Sequence, residues 1–242
     1  MKRKFKFTAL ISGLMIVFTI WLILELFKEK TKTYSAFGPT IPIDYPVLGM
    51  DISHYQGEID WNEAANMKVQ NDSIAFVYIK ATEGVSLRDK NKRKNAEGAR
   101  SVNIDYGFYH FFIPSLSAKK QADFFCQRIG GYNFDLRPVL DIESETDLSK
   151  TALLDSVKVF LDRTEENLQL RPIIYTYANF FERYFFESTE DFWIAKYAET
   201  CPYMDFKNVI CWQFTEKGTV NGISYPVDLN VAKKDFFERV RK

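Results

Sequence analysis

Asp141 and Glu143 close the apolar run Arg137-Pro-Val-Leu-Asp-Ile-Glu143. Alternate residues of a strand share a face, so the two Cα atoms stand roughly 6.5 Å apart, twice the ~3.3 Å rise. Like charges this close raise the pKa of one of them and leave a proton donor beside an anion. Cleavage of a glycosidic bond needs such a pair. The same Asp-x-Glu can also be no more than a solvated strand end, so its meaning depends on what stands around it.

The elements that would position the pair alternate between short apolar strands and amphipathic helices. Strands are expected at Val47–Asp51, Ile74–Lys80, Asp105–Phe112, Pro138–Glu143 and Pro172–Tyr177. Helices are expected over Trp61–Asn71 behind an Asp60 cap, Arg88–Ser101, Ser117–Ile129, Lys150–Leu168 and Phe180–Phe186. Three strand-like segments then follow without helices, Phe192–Tyr197, Val209–Phe214 and Thr219–Ile223, and a last helix is expected over Val231–Val240. Apolar strands joined by helical crossovers imply α/β architecture with a parallel sheet covered on both faces. The count suits a barrel whose last third is irregular. An open doubly wound sheet is the alternative, but no Gly-x-Gly-x-x-Gly or phosphate loop follows any strand.

The chain has 242 residues and a formal net charge of zero, with 22 Phe, 13 Tyr and 4 Trp as core material. Residues 1–32 carry seven Lys/Arg and two Glu, which leaves 25 basic and 30 acidic residues and a net charge of −5 for the remainder. That balance argues against a nucleic-acid partner. The basic segment 1–6 precedes residues 7–27, which are almost wholly apolar apart from Glu25 near the end and long enough to cross a bilayer as a helix. This stretch is expected to be an uncleaved transmembrane signal-anchor. Its amino end would lie in the cytoplasm and the remainder of the chain on the other side. A cleavable signal peptide, releasing a secreted enzyme, is the rival. Residues 28–46, with Gly38, Pro39, Pro42 and Pro46, read as a linker, and 47–242 as the folded domain. Cys126, Cys201 and Cys211 read as packing residues, with a Cys201–Cys211 pair as the oxidised alternative.

Sites in parallel α/β folds lie at the carboxyl ends of the strands. Those ends read Asp51, Glu83, His110, Asp141 with Glu143, Tyr175 with Tyr177, Lys196 with Tyr197, Trp212 with Gln213, and Asp228. Acids at several independent ends, mixed with Tyr and Trp, describe an acidic cleft with aromatic faces, suited to a saccharide. His54 and His110 read as hydrogen-bonded structural residues. With only two His, 56 positions apart, a zinc-dependent deacetylase is disfavoured and no cofactor or metal is expected.

Seven segments in order then resemble the lysozymes of glycoside hydrolase family 25. They are Gly49-Met-Asp-Ile-Ser-His-Tyr-Gln-Gly57 with Ile59-Asp-Trp61, Phe76-Val-Tyr-Ile-Lys-Ala-Thr-Glu-Gly84, Gly107-Phe-Tyr-His-Phe-Phe112, Pro138-Val-Leu-Asp-Ile-Glu143, Pro172-Ile-Ile-Tyr-Thr176, Phe192-Trp-Ile-Ala-Lys-Tyr197, and Trp212-Gln-Phe214 with Val227-Asp-Leu-Asn230. The resemblance implies an irregular barrel of about five strand-helix units plus extra strands. It implies cleavage of the β-1,4 bond from N-acetylmuramic acid to N-acetylglucosamine in peptidoglycan glycan strands, by a monomer. It makes Glu143 the general acid/base, Asp141 its partner, and Asp51 and Asp228 the flanking acids. Tyr109, Tyr175 and Tyr197 would line the sugar site, with Glu83 and Trp212 as further candidates for substrate contact. An N-acetyl group beside the reacting carbon allows the substrate to act as its own nucleophile. Two alternatives are a non-catalytic saccharide-binding protein and a chitinase-like hydrolase, although the longer Asp-x-x-Asp-x-Asp-x-Glu run is absent, Val139 standing two before Asp141.

Overall fold

The computed structural model describes residues 2–26, 31–33, 39–69, 71–203 and 205–242, with side chains for 13–25 and, from 39 onward, for all of these. The strands are β1 (Thr31–Thr33), β2 (Thr40–Pro42), β3 (Val47–Ile52), β4 (Ile74–Glu83), β5 (Leu87–Arg88), β6 (Asp105–Phe111), β7 (Val139–Asp141), β8 (Ile173–Tyr177), β9 (Phe192–Ala195), β10 (Val209–Gly218) and β11 (Val227–Ala232). The helices are α1 (Lys2–Leu26), α2 (Trp61–Asn66), α3 (Lys92–Ser101), α4 (Ala118–Ile129), α5 (Lys150–Leu168), α6 (Ala178–Phe180), which runs on into a π turn, and α7 (Phe236–Val240).

Eight strands close a barrel in the order β3-β4-β6-β7-β8-β9-β10-β11, with β11 returning to β3. Pairing is parallel from β3 through β10, and β11 is antiparallel to both of its neighbours. Each of the first five barrel strands is followed by a helix, and the last three are joined without one. The helices cover the outer face. In α5, Ser149 caps the first turn through the Ala152 amide, and Leu153, Val157, Phe160, Leu161 and Thr164 form its buried stripe.

A separate apolar cluster fills the barrel itself, including Phe76, Tyr78, Val139, Ile173, Trp193 and Phe236. Gly49 and Gly107 on β3 and β6 make room for it, because a Cβ at Gly49 would stand 2.3 Å from the Phe76 ring and one at Gly107 2.5 Å from Tyr78. Phe236 and Val240 of α7, both fully buried, plug the floor, with the Phe236 ring tilted against Phe76 at a centroid distance of 4.6 Å. The opposite end, where the parallel strands finish, is left open.

The chain departs from expectation mainly after residue 218. The segment 219–223 is a turn through Gly222 (φ 78°), with Ile223 making a single bridge to Ile59, and is not a strand. The eighth strand is β11, which takes the start of the expected last helix and leaves only Phe236–Val240 helical. Asp228 and Asn230 alternate there with Val227, Leu229 and Val231, the period of a strand. Helix α3 begins at Lys92 because Leu87 and Arg88 pair back onto Glu83 and Thr82.

Ile41 and Tyr45, within the expected linker, are buried in the outer core; residues 28–30 and 34–38 of the linker, and residue 27 of the expected anchor, lie outside the described residues. Among the described residues no helix is long and apolar enough to cross a membrane. Cys126, Cys201 and Cys211 are buried free thiols.

Candidate active site

Four acids expected from sequence converge at the open end of the barrel. Asp141 is the last residue of β7 and Glu143 follows two positions later. Antiparallel pairing of β11 with β3 sets Asp228 directly beside Asp51. All four line one cavity of about 280 Å³, together with Lys80 of β4 and Glu216 of β10. Tyr109, Phe111, Tyr175, Tyr177, Trp193 and Tyr197 supply its aromatic walls.

Burial and mutual repulsion set the protonation of these acids. Burial, then the charge of Asp228, holds the Asp51 carboxyl well above the ordinary carboxylate range. Asp141 is raised by burial and by Glu143, with Lys80 opposing. Glu143 is pushed up to about 7, chiefly by burial and then by Asp228, again against Lys80. Asp228 rises to about 6 through burial and the neighbouring Glu216. The sequence suggested that Asp141 would raise Glu143; the larger causes are the low-dielectric pocket and the acid from β11. A partly exposed carboxyl poised near neutral can both give and take a proton. Asp141 is 6% exposed, and its Oδ1 is buried without a hydrogen-bond partner, an open acceptor.

A buried amide network holds Asp51 from behind. Gln213 Nε2 and Asn230 Nδ2 both donate to Asp51 Oδ2, at 3.0 and 2.8 Å. The hydroxyls of Tyr175 and Tyr197 donate to Gln213 Oε1 at 2.9 and 3.1 Å, and Trp193 Nε1 donates to Asn230 Oδ1 at 2.8 Å. Three aromatic donors thereby orient two amides toward one carboxylate oxygen. Because Oδ2 already accepts two N–H groups, a proton on Asp51 belongs on Oδ1.

Two expected substrate contacts are not brought to the cavity wall. Trp212 is fully buried on the outer face of β10, its Nε1 donating to the Lys196 carbonyl at 2.8 Å, and Gln213 takes the inward position. Glu83 stands behind Lys80 and accepts its Nζ at 2.7 Å. His110 is structural: Thr82 and Gln121 hold its two ring nitrogens, and burial pushes it down to about 3.

The family model for glycosyl hydrolases family 25 matches residues 50–223. The chain belongs to this family. The matched span holds Asp51, Asp141 and Glu143, while Asp228 follows it in β11. Relatives of the chain include the uncharacterized protein YegX of Escherichia coli K12, 36% identical over 204 residues, which are 83% of this chain and 74% of YegX. Lysozyme M1 of Streptomyces globisporus is 32% identical over 201 residues, 76% of this chain and 67% of that protein. The structure of a family 25 glycosyl hydrolase from Bacillus anthracis superposes with a TM-score of 0.71 at 28% identity, covering 80% of this chain and 93% of the other. As a family 25 member the chain is a glycoside hydrolase with an α/β barrel of mixed strands.

Lys80 and Glu216 of this family 25 cavity, and Asn230 behind Asp51, were not among the residues expected at the site, and Gln213 was placed at a strand end without a role. The missing signal was available for Lys80, since Phe76, Tyr78 and Lys80 alternate along β4 and the first two face the barrel interior. Asn230 follows by the same rule from Asp228.

Proposed function

We propose that this chain is a peptidoglycan hydrolase that cleaves the β-1,4 bond from N-acetylmuramic acid to N-acetylglucosamine, with Glu143 as its proton carrier. The observation that carries this reading is the convergence of Asp51, Asp141, Glu143 and Asp228 in one aromatic-walled cavity, where burial raises the Glu143 carboxyl and Asp141 Oδ1 is left open. The lysozyme relative supports the choice of substrate.

In the first step the protonated Glu143 gives its proton to the glycosidic oxygen, which leaves with the bonding pair. The carbonyl oxygen of the substrate's own acetamido group bonds to the anomeric carbon in its place. Asp141 Oδ1 accepts the acetamido N–H and stabilises the positive charge that spreads over the new ring. In the second step Glu143 takes a proton from water, the water oxygen bonds to the anomeric carbon, and the acetamido oxygen departs. Asp51 and Asp228 flank the reacting ring, and Tyr109, Tyr175 and Tyr197 line its pocket. No step uses a metal.

We also propose the division of the chain into a basic segment 1–6, a signal-anchor over 7–27, a linker and a hydrolase domain over 47–242. Leu14, Met15, Ile16, Val17 and Phe18 are all at least 60% exposed on α1, apolar surface on successive positions around a helix, as a bilayer requires. Because Ile41 and Tyr45 pack in the core, the hydrolase domain takes in the end of the proposed linker. The hydrolase then works as a monomer on the non-cytoplasmic side.

The deciding experiment digests purified peptidoglycan with the full chain and identifies the new reducing ends. Muramic acid ends are expected; glucosamine ends, or no cleavage, overturn the reading. Retained activity in a chelator separates it from a metal-dependent hydrolase.

A further inference from the structure

Tyr55 is 72% exposed at the lip of the cavity, yet the turn that carries it is held rigidly. Tyr55 N donates to Ser53 Oγ, and Ser53 N to Gln56 Oε1, forming a capping box around a single 3-10 turn. Gln56 Nε2 reaches across to the Pro226 carbonyl at 3.0 Å. The buried Asp89 accepts both His54 N and His54 Nδ1, at 2.8 and 2.9 Å, and Asn91 Nδ2 ties down the Gly57 carbonyl at 3.1 Å. Two side chains of the loop before α3 and one backbone carbonyl of the loop before β11 therefore fix the mount. The Tyr55 ring lies beside that of His54, with centroids 4.1 Å apart, and is not part of the core.

Ordering a turn costs conformational entropy, and an exposed aromatic side chain on an ordered turn is a ready contact surface. Its place around the barrel identifies the partner. Tyr55 follows β3, and Tyr177 ends β8, four strands away in either direction, so the two residues stand on opposite sides of the mouth that both line. The acids lie between them. A linear chain of pyranose rings laid over the acids runs out over both lips, and the apolar face of a pyranose packs on an aromatic ring.

We propose that Tyr55 is the platform of an additional glycan subsite, stacking on a sugar ring beyond those at the cleavage point, so that the enzyme favours extended glycan strands over short fragments. This rests on the peptidoglycan reading above. Its test compares kcat/KM of the full chain on peptide-free glycan fragments of four and of eight sugars. In Tyr55→Ala the advantage of the longer substrate falls about tenfold, the factor that corresponds to a contact of 1.4 kcal/mol, whereas Tyr55→Phe keeps it. An unchanged ratio of the two rates in Tyr55→Ala overturns the inference while leaving the peptidoglycan reading intact. A length effect that appears only on fragments bearing stem peptides also overturns it, by assigning Tyr55 to the peptide. Failure of the unmutated chain to cleave either fragment removes the peptidoglycan reading and this inference with it.

Discussion

Replacing Gln213 by leucine removes the hub through which two tyrosines reach Asp51. Gln213 is 2% exposed, so water does not substitute for what is lost. Tyr175, also buried, loses its acceptor, and an unsatisfied buried hydroxyl costs about 1–3 kcal/mol. Tyr197 is 44% exposed, so its hydroxyl recovers a water partner. Asp51 Oδ2 keeps the Asn230 bond and loses the one from Gln213, a further ~1 kcal/mol. Gln213→Leu should therefore destabilise the fold by roughly 2–4 kcal/mol, and at about 2–4 °C per kcal/mol for a domain of this size Tm falls by roughly 4–16 °C. The lost donor had favoured the charged form of Asp51, so that carboxyl moves higher still. Calorimetry together with a pH profile of kcat/KM tests both consequences. A Tm within a degree of the unmutated chain and an unchanged profile would refute the account of the network.

Glu143→Gln should lower kcat by roughly 10²–10⁴-fold, the usual worth of a positioned acid/base, while the fold and saccharide binding persist; residual activity within tenfold of normal would move the proton to another group. On folding the Glu143 and Asp228 carboxyls rise from the ordinary carboxylate range to about 7 and about 6. The stability they contribute is fully present below their unfolded values and is lost as pH climbs toward 6–7. Unfolding free energy measured across pH 4–7 should accordingly fall less steeply in Glu143→Gln than in the unmutated chain; equal slopes would contradict the assignment. Lys80 holds both Asp141 and Glu143 down, so Lys80→Met should shift the alkaline limb of the pH–rate profile upward, and a downward shift would exclude that role.

Much of the barrel and its acids was legible because parallel strands are short apolar runs that end abruptly in polar residues, as at Asp51 and Asp141. Position along a strand was therefore readable, but orientation was less so. Where both faces of a strand are buried, alternation disappears, and nothing in Cys-Trp-Gln-Phe says that Trp212 faces the helices and Gln213 the cavity. The apolar faces of Val227, Leu229 and Val231 carried a strand signal that continued into Val231–Val240, where it competed with a helical reading. The raised Glu143 carboxyl owes most to burial and to Asp228, 85 positions along the chain, and spacing within a motif cannot report either.

The antiparallel return of β11 also sets an order of events. A chain made from its amino end forms β3 early, but Asp51 receives its Asn230 partner and its neighbour Asp228 only when a segment nearly 180 residues later inserts between β3 and β10. Closing so long a loop is slow relative to local helix formation. Hydrolytic competence therefore arrives last, and a nascent chain still short of its eighth strand carries a cleavage motif with no assembled cleft.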